Sequence, residues 1–244
     1  MGNREILNGT KNNFIESIKS SYLSKEENRK INDDVYYYAV WQGYLDAKRT
    51  FDGVSRIGKR KEDAFRALAE KIKGYFEDTS FKDDQDYFDQ KHKKMCESLI
   101  TSFGDYSITY GQAQKIVNMA FKYLYCCKGA EEKKDHFKYC HMALDTYTLN
   151  WYKRKTGDNP EEWSKLDDEK YVKIKDYIRD HLDYPDLTVL ENEFIIWPDE
   201  MLLETIKDFN KIKGKKIAQH TNLIISDEIL ELEQNIKEIK KWYE

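Results

Sequence analysis

No proline occurs in the first 159 residues; the three that the chain holds are Pro160, Pro185 and Pro198. Eleven glycines are the other strong breakers, which is too few for the tight turns that an all-β fold needs between its strands. The stretches between breakers are rich in Lys, Glu, Leu, Ala and Ile, side chains that lose little rotamer freedom in a helix. The expected fold class is all-α.

Apolar periodicity places the helices. A short amphipathic helix is expected over 11–23, with Phe14, Ile18 and Leu23 on one side. A Tyr-rich helix follows over 34–52, with Trp41 and Leu45 one turn apart and Gly53 as its stop. Further helices are expected over 61–76, 87–103 and 112–127, after a charged loop from Asp78 to Asp86. Helices over 145–155, 167–182, 198–212 and 226–243 complete the set, with linkers around the three prolines. Phe194-Ile195-Ile196 is the one place where short β character is expected.

With 40% hydrophobic and 35% charged residues, the chain is expected to fold and to be well solvated. No run of about 18 apolar residues exists to span a bilayer, and the N-terminus lacks the apolar run of a secretion signal. Gly2 does not open a myristoylation motif, because Ile6 stands where Ser or Thr is needed. Cys96, Cys126, Cys127 and Cys140 fit no disulfide framework and read as buried thiols of a cytoplasmic protein. The net charge of −4 gives no general attraction to nucleic acid. Residues 111–155 nevertheless hold nine Lys or Arg against four Asp or Glu, a basic segment compatible with a local phosphate-facing surface and equally with chance.

The most informative stretch is Gly111-Gln112-Ala113-Gln114-Lys115-Ile116-Val117-Asn118. A glycine opens a helix, a small residue follows two positions on and a lysine four on. In such an arrangement a tight turn and a close backbone approach let phosphate reach main-chain N–H groups. Lys115 stands in the first turn of the expected helix, the unfavourable end for a cation. Lys115, Asn118 and Lys122 make a polar stripe across an otherwise apolar helix. Downstream, Met142-Ala143-Leu144-Asp145-Thr146 places an aspartate where a helix begins. Each feature has an ordinary explanation: Asp145 as an N-cap, Lys115 as a solvated lysine, Gly111 as a turn residue.

Together these segments resemble the G-x-G-x-K-x-x-N and V-D-T stretches of helix-hairpin-helix DNA glycosylases, over about residues 90–155. Ala113 replaces the second glycine, Thr109-Tyr110 replaces the usual Leu-Pro, and thirty residues separate Lys115 from Asp145. No C-terminal four-cysteine cluster is present, so the resemblance is to the branches without an iron–sulfur centre, such as the 8-oxoguanine glycosylases. The resemblance implies two helical subdomains around a central cleft within one unit, 1–244. The central helices with the hairpin would span 34–127, and 1–33 with 128–244 would form the second subdomain. It implies Lys115 as nucleophile and Asp145 as the stabilising carboxylate, possessing glycosylase and in some members AP-lyase activity. Gly111, Gln112, Ala113 and Lys122 would contact the nucleic acid. The implied partner is double-stranded DNA carrying a damaged or modified base, with no cofactor or metal.

A rival site is His136, Cys140 and His141, near Cys126 and Cys127; His136 and Cys140 share a helix face at a workable zinc spacing, but no C-x-x-C or paired histidine pattern accompanies them. No phosphate-binding loop, serine elbow or HExxH is present. The alternative function is a non-catalytic helical module that binds nucleic acid or a protein partner.

Overall fold

The structure, a computed structural model, describes residues 2–18, 33–51 and 58–218. Among these residues every regular element is helical: α1 (Asn3–Ser17), α2 (Asp33–Ala47), α3 (Lys59–Phe76), α4 (Gln85–Ser102), α5 (Tyr110–Tyr125), α6 (Lys134–Phe137), α7 (Thr146–Thr156), α8 (Asp168–Asp180) and α9 (Val189–Ala218). Short 3-10 turns cover Lys48–Thr50, Ala130–Lys133 and Trp163–Lys165. The chain is all-α, as its lack of breakers implies. The expected helix over 226–243 and the stop at Gly53 lie outside the described residues. No helix among the described residues is long and apolar enough to cross a membrane.

Contacts divide the chain into one unit, Met1–Pro198, and a second, Asp199–Glu244. In the first unit α5 is the central helix, buried from Tyr110 to Leu124. α2, α4 and α8 pack against it, and α3 packs on α2 and α4. Rings fill the spaces between them: Phe65, Tyr75, Phe88, Phe103 and Phe121 are almost wholly buried.

A helix buried on all sides must satisfy every polar group it carries. Asn118 of α5 does so with partners from three directions. Its amide lies within hydrogen-bonding distance of Gln114 Oε1, the Met142 carbonyl and the Tyr171 hydroxyl (3.0, 3.2 and 3.1 Å), and its Oδ1 meets His92 Nε2 at 2.9 Å. His141 continues the network, bonding the Tyr171 hydroxyl at 2.8 Å and Asp89 at 2.7 Å. Lys175 also donates to Asp89. Polar contacts therefore fix α4, α5 and α8 in register where an apolar core alone would permit sliding.

Phe194-Ile195-Ile196 lies inside α9, not in a strand, and α9 continues through Pro198. The β expectation came from three large apolar residues followed by a proline taken as a linker. The three side chains are buried in a helical setting, and that packing outweighs the lost N–H donor and the ring clash that Pro198 brings to α9.

Candidate functional site

α5 begins at Tyr110, two residues earlier than its glycine suggests. Thr109 is the N-cap: its hydroxyl oxygen accepts the Gln112 N–H, and the Gln112 side chain accepts the Thr109 N–H, a reciprocal capping box. The turn between α4 and α5 has its left-handed glycine at Gly104 (φ 61°), whereas Gly111 is helical. A side chain is missing at Gly111 for another reason. A Cβ there would lie 1.9 Å from the Trp163 carbonyl oxygen.

The segment Trp163–Leu166 covers the start of α5. The Gly111 N–H donates to the Leu166 carbonyl at 2.9 Å, and the Thr109 hydroxyl donates to the Ser164 carbonyl at 2.7 Å. The Ala113 N–H is taken by the Thr109 carbonyl, and the Gln112 amide donates to the Thr50 carbonyl. The main-chain donors of Gly111, Gln112 and Ala113, expected to grip phosphate, are thus engaged within the chain. All three residues are buried. Lys122 is buried too. It pairs with Glu193 at 2.8 Å and lies over the rings of Phe14 and Phe194, so its charge is spent inside the protein.

Lys115 sits in the second turn of α5, and its Nζ donates to Asp145 Oδ2 at 2.8 Å. Asp145 is the N-cap of α7, as any aspartate before a helix can be. Its Oδ1 accepts the N–H groups of Tyr147 and Thr148 (2.9 and 3.1 Å). Its Oδ2 takes the Trp197 indole N–H at 2.9 Å as well as Lys115. One carboxylate therefore ties α5, the start of α7 and α9 together.

The strand of chain that delivers Asp145 is itself clamped. Gln114 accepts the Leu144 N–H at 3.1 Å and donates to the Leu144 carbonyl at 2.9 Å. Glu193 accepts the Ala143 N–H at 2.8 Å, and the Thr148 hydroxyl donates to the Ala143 carbonyl at 3.0 Å. Both amide and carbonyl groups of this buried segment thus find partners, and Asp145 has little room to move.

Electrostatics make the pair ionic. Burial alone would push the Lys115 ammonium down, but the carboxylates of Asp145, Glu193 and Asp46 outweigh it and hold its pKa above the usual lysine value. Burial pushes Asp145 up. Lys115 overrides it, helped by the Thr148 N–H and the Trp197 indole, and holds the carboxyl below its usual value. The resting lysine is therefore protonated.

Lys115 and Asp145 lie on the wall of a pocket of about 600 Å³, a volume typical of small-molecule sites. α1 contributes Phe14 and its C-cap Ile18 to the lining, α2 contributes Leu45 and Asp46, and aromatic surface comes from Tyr147, Trp163 and Trp197. Leu45, one turn on from Trp41 in α2, is exposed at this pocket.

His136, Cys140 and His141 do not converge. His136 stacks on Phe81, Cys140 bonds the His136 carbonyl, and His141 belongs to the Asp89 network. Among the described residues no group of three His, Cys, Asp or Glu side chains is arranged to hold a metal ion.

Sequence reasoning passed over Trp197, Glu193, Gln114 and Asp46. Trp197 and Glu193 lie fifty and more residues from the partners they bond, with no local pattern to mark them. Gln114 had a signal, a polar side chain one turn before Asn118 on a mostly apolar helix. Compared with known protein families, with curated proteins and with solved structures, the chain finds no match in any of the three.

Proposed function

We propose that the chain is a DNA base-excision glycosylase that removes a damaged or modified base, with Lys115 as nucleophile and Asp145 as the carboxylate beside it. The observation that carries this reading is the 2.8 Å approach of Lys115 Nζ to Asp145 Oδ2 on the wall of a 600 Å³ pocket with aromatic surface. A base turned out of its stack needs a pocket of this kind, with flat apolar walls and a few fixed polar groups.

The chemistry follows from the pair. The Lys115 ammonium first gives up a proton, which its raised pKa makes the demanding step. The neutral amine then attacks C1′; the N–C1′ bond forms, the glycosidic bond breaks, and its electron pair leaves with the base, which takes up a proton. Positive charge develops on the sugar, and the Asp145 carboxylate beside it is stabilising. Ring opening of the adduct gives an iminium ion. Loss of the neighbouring C2′ proton then expels the 3′-phosphate, the lyase reaction that nicks the strand.

A non-catalytic helical module that binds nucleic acid or a protein is the second reading. It is favoured by the four donors already on Asp145 and by the covered start of α5. Borohydride trapping on duplex oligonucleotides bearing a panel of modified bases separates the two. The enzyme forms a covalent adduct that Lys115→Ala abolishes. Neither adduct nor base release with any substrate leaves the binding module.

A further inference from the structure

The pocket holds one carboxylate that neither buried ion pair uses. Asp46 is in the last turn of α2, the end of a helix where the backbone dipole disfavours an anion. Its Oδ2 accepts the Tyr123 hydroxyl at 2.9 Å, and Gln42 hydrogen-bonds to the same hydroxyl. Its Oδ1 makes no hydrogen bond to a described residue. Neither oxygen is in an ion pair among those residues, since Lys115 is held by Asp145 and Lys122 by Glu193.

Asp46 is an exposed residue that lines the pocket, and the protein packed around its carboxyl raises its pKa against the pull of Lys115 and Tyr123. The two ammonium groups near this wall face three carboxylates, those of Asp46, Asp145 and Glu193. An inner surface so charged favours a ligand that brings hydrogen-bond donors over one that brings a phosphate or other anion.

We infer that Asp46 reads the edge of the bound base, accepting a ring N–H and an adjacent exocyclic amino group, so that the pocket selects a flat heterocycle with a guanine-type edge. This rests on the base-pocket part of the function proposed above. A carboxylate is an acceptor with lone pairs on both oxygens, and it pairs best with two parallel N–H donors. Adenine and cytosine present a ring acceptor beside their amino donor, and uracil has an acceptor on each side of its ring N–H, so an acceptor would face carboxylate lone pairs. Hypoxanthine keeps the ring N–H but has a C–H where guanine has its amino group, and one hydrogen bond is lost. Trp163, Trp197 and Tyr147 supply aromatic surface for the flat faces of such a ring.

Asp46→Asn inverts this edge with little change of shape. The amide oxygen takes the Tyr123 hydroxyl, and the amino group turns into the pocket, a donor where an acceptor stood. The test titrates the full chain with guanosine and with inosine, which differ only in the exocyclic amino group, following tryptophan fluorescence. The wild-type chain should bind guanosine about tenfold or more tighter than inosine, the effect of one hydrogen bond to a charged acceptor. In D46N, with circular dichroism confirming the fold, that ratio should fall to about one or below. A wild-type ratio near one, a ratio unchanged in D46N, or no saturable binding of guanosine overturns the inference.

Base release from matched oligonucleotides carrying 8-oxoguanine or 8-oxohypoxanthine distinguishes this failure from failure of the enzyme reading. Equal release of both bases leaves a glycosylase and removes the role of Asp46. A guanosine preference that depends on Asp46, with no base released and no borohydride adduct, keeps the edge-reading pocket and removes the chemistry.

Discussion

Asp145→Asn separates the two tasks of that side chain. Asn caps a helix about as well as Asp, so the bonds from Tyr147 N–H and Thr148 N–H to Oδ1 survive. What disappears is the charge and the Oδ2 acceptor, leaving an amide nitrogen against two donors, Lys115 Nζ and Trp197 Nε1. Removing one partner of a buried ion pair costs about 3–5 kcal/mol. The Asp145 side chain keeps 12% of its surface exposed, and Lys115 still feels Glu193 and Asp46. Solvent and these carboxylates reduce the expected loss to about 2–4 kcal/mol. Lys115→Met should cost less, roughly 1–3 kcal/mol, because the carboxylate it leaves behind keeps three N–H donors. Urea unfolding of both variants at pH 7 measures the order. The sign with pH follows from the lowered pKa of folded Asp145: its contribution is present above the unfolded value of about 3.9 and is lost as pH falls through the folded one. The gap between wild type and D145N should therefore hold down to about pH 4 and narrow below it. A loss under about 0.5 kcal/mol at pH 7, or a larger loss for Lys115→Met than for D145N, would refute the reasoning.

Gly111→Ala drives a Cβ into the Trp163 carbonyl and should cost at least about 1–3 kcal/mol in urea unfolding. Gly74→Ala, in α3 with open space around it, should stabilise by about 0.5–1 kcal/mol. Glu193→Gln breaks the buried pair with Lys122 and should destabilise by about 3–5 kcal/mol, whereas Arg4→Ala, at an ion pair whose arginine side chain is mostly exposed, should cost no more than about 1 kcal/mol. Burial lowers the pKa values of His92 and His141, so the unfolded chain binds protons that the folded chain refuses. Stability from these histidines is present above about pH 6.5 and lost below it, and His141→Gln should flatten the stability profile between pH 7 and 5.

Helices were legible because their signals are local. The proline-free stretch and the apolar spacing of Phe65, Leu68, Ile72 and Phe76 lie within α3 itself. Gly111 was misread because its reason is not local: a carbonyl fifty-two residues further on presses against its Cα. The Gly111 N–H looked free for the same reason, since Leu166, which accepts it, lies far away in sequence; the Gln112 and Ala113 N–H groups go to Thr109, the N-cap of α5. Pro198 suggested the start of a helix, whereas α9 begins at Val189 and runs through it. Lys115 and Asp145 could be paired on paper only through a resemblance, and the sequence alone holds no distance between them. Asp46 was invisible, because an aspartate late in a Tyr-rich helix looks like solvated surface until α1 and α5 are placed around it.

The central claim is that Lys115 attacks C1′ of a nucleotide whose base lies in this pocket. The most direct measurement is borohydride reduction of the full chain on duplex oligonucleotides with modified bases, followed by proteolysis and mass spectrometry of the adduct. A reduced deoxyribose adduct is expected on the peptide that contains Lys115, absent in Lys115→Ala and weakened in D145N. An adduct on another lysine, or none with any substrate that the protein binds, would contradict it.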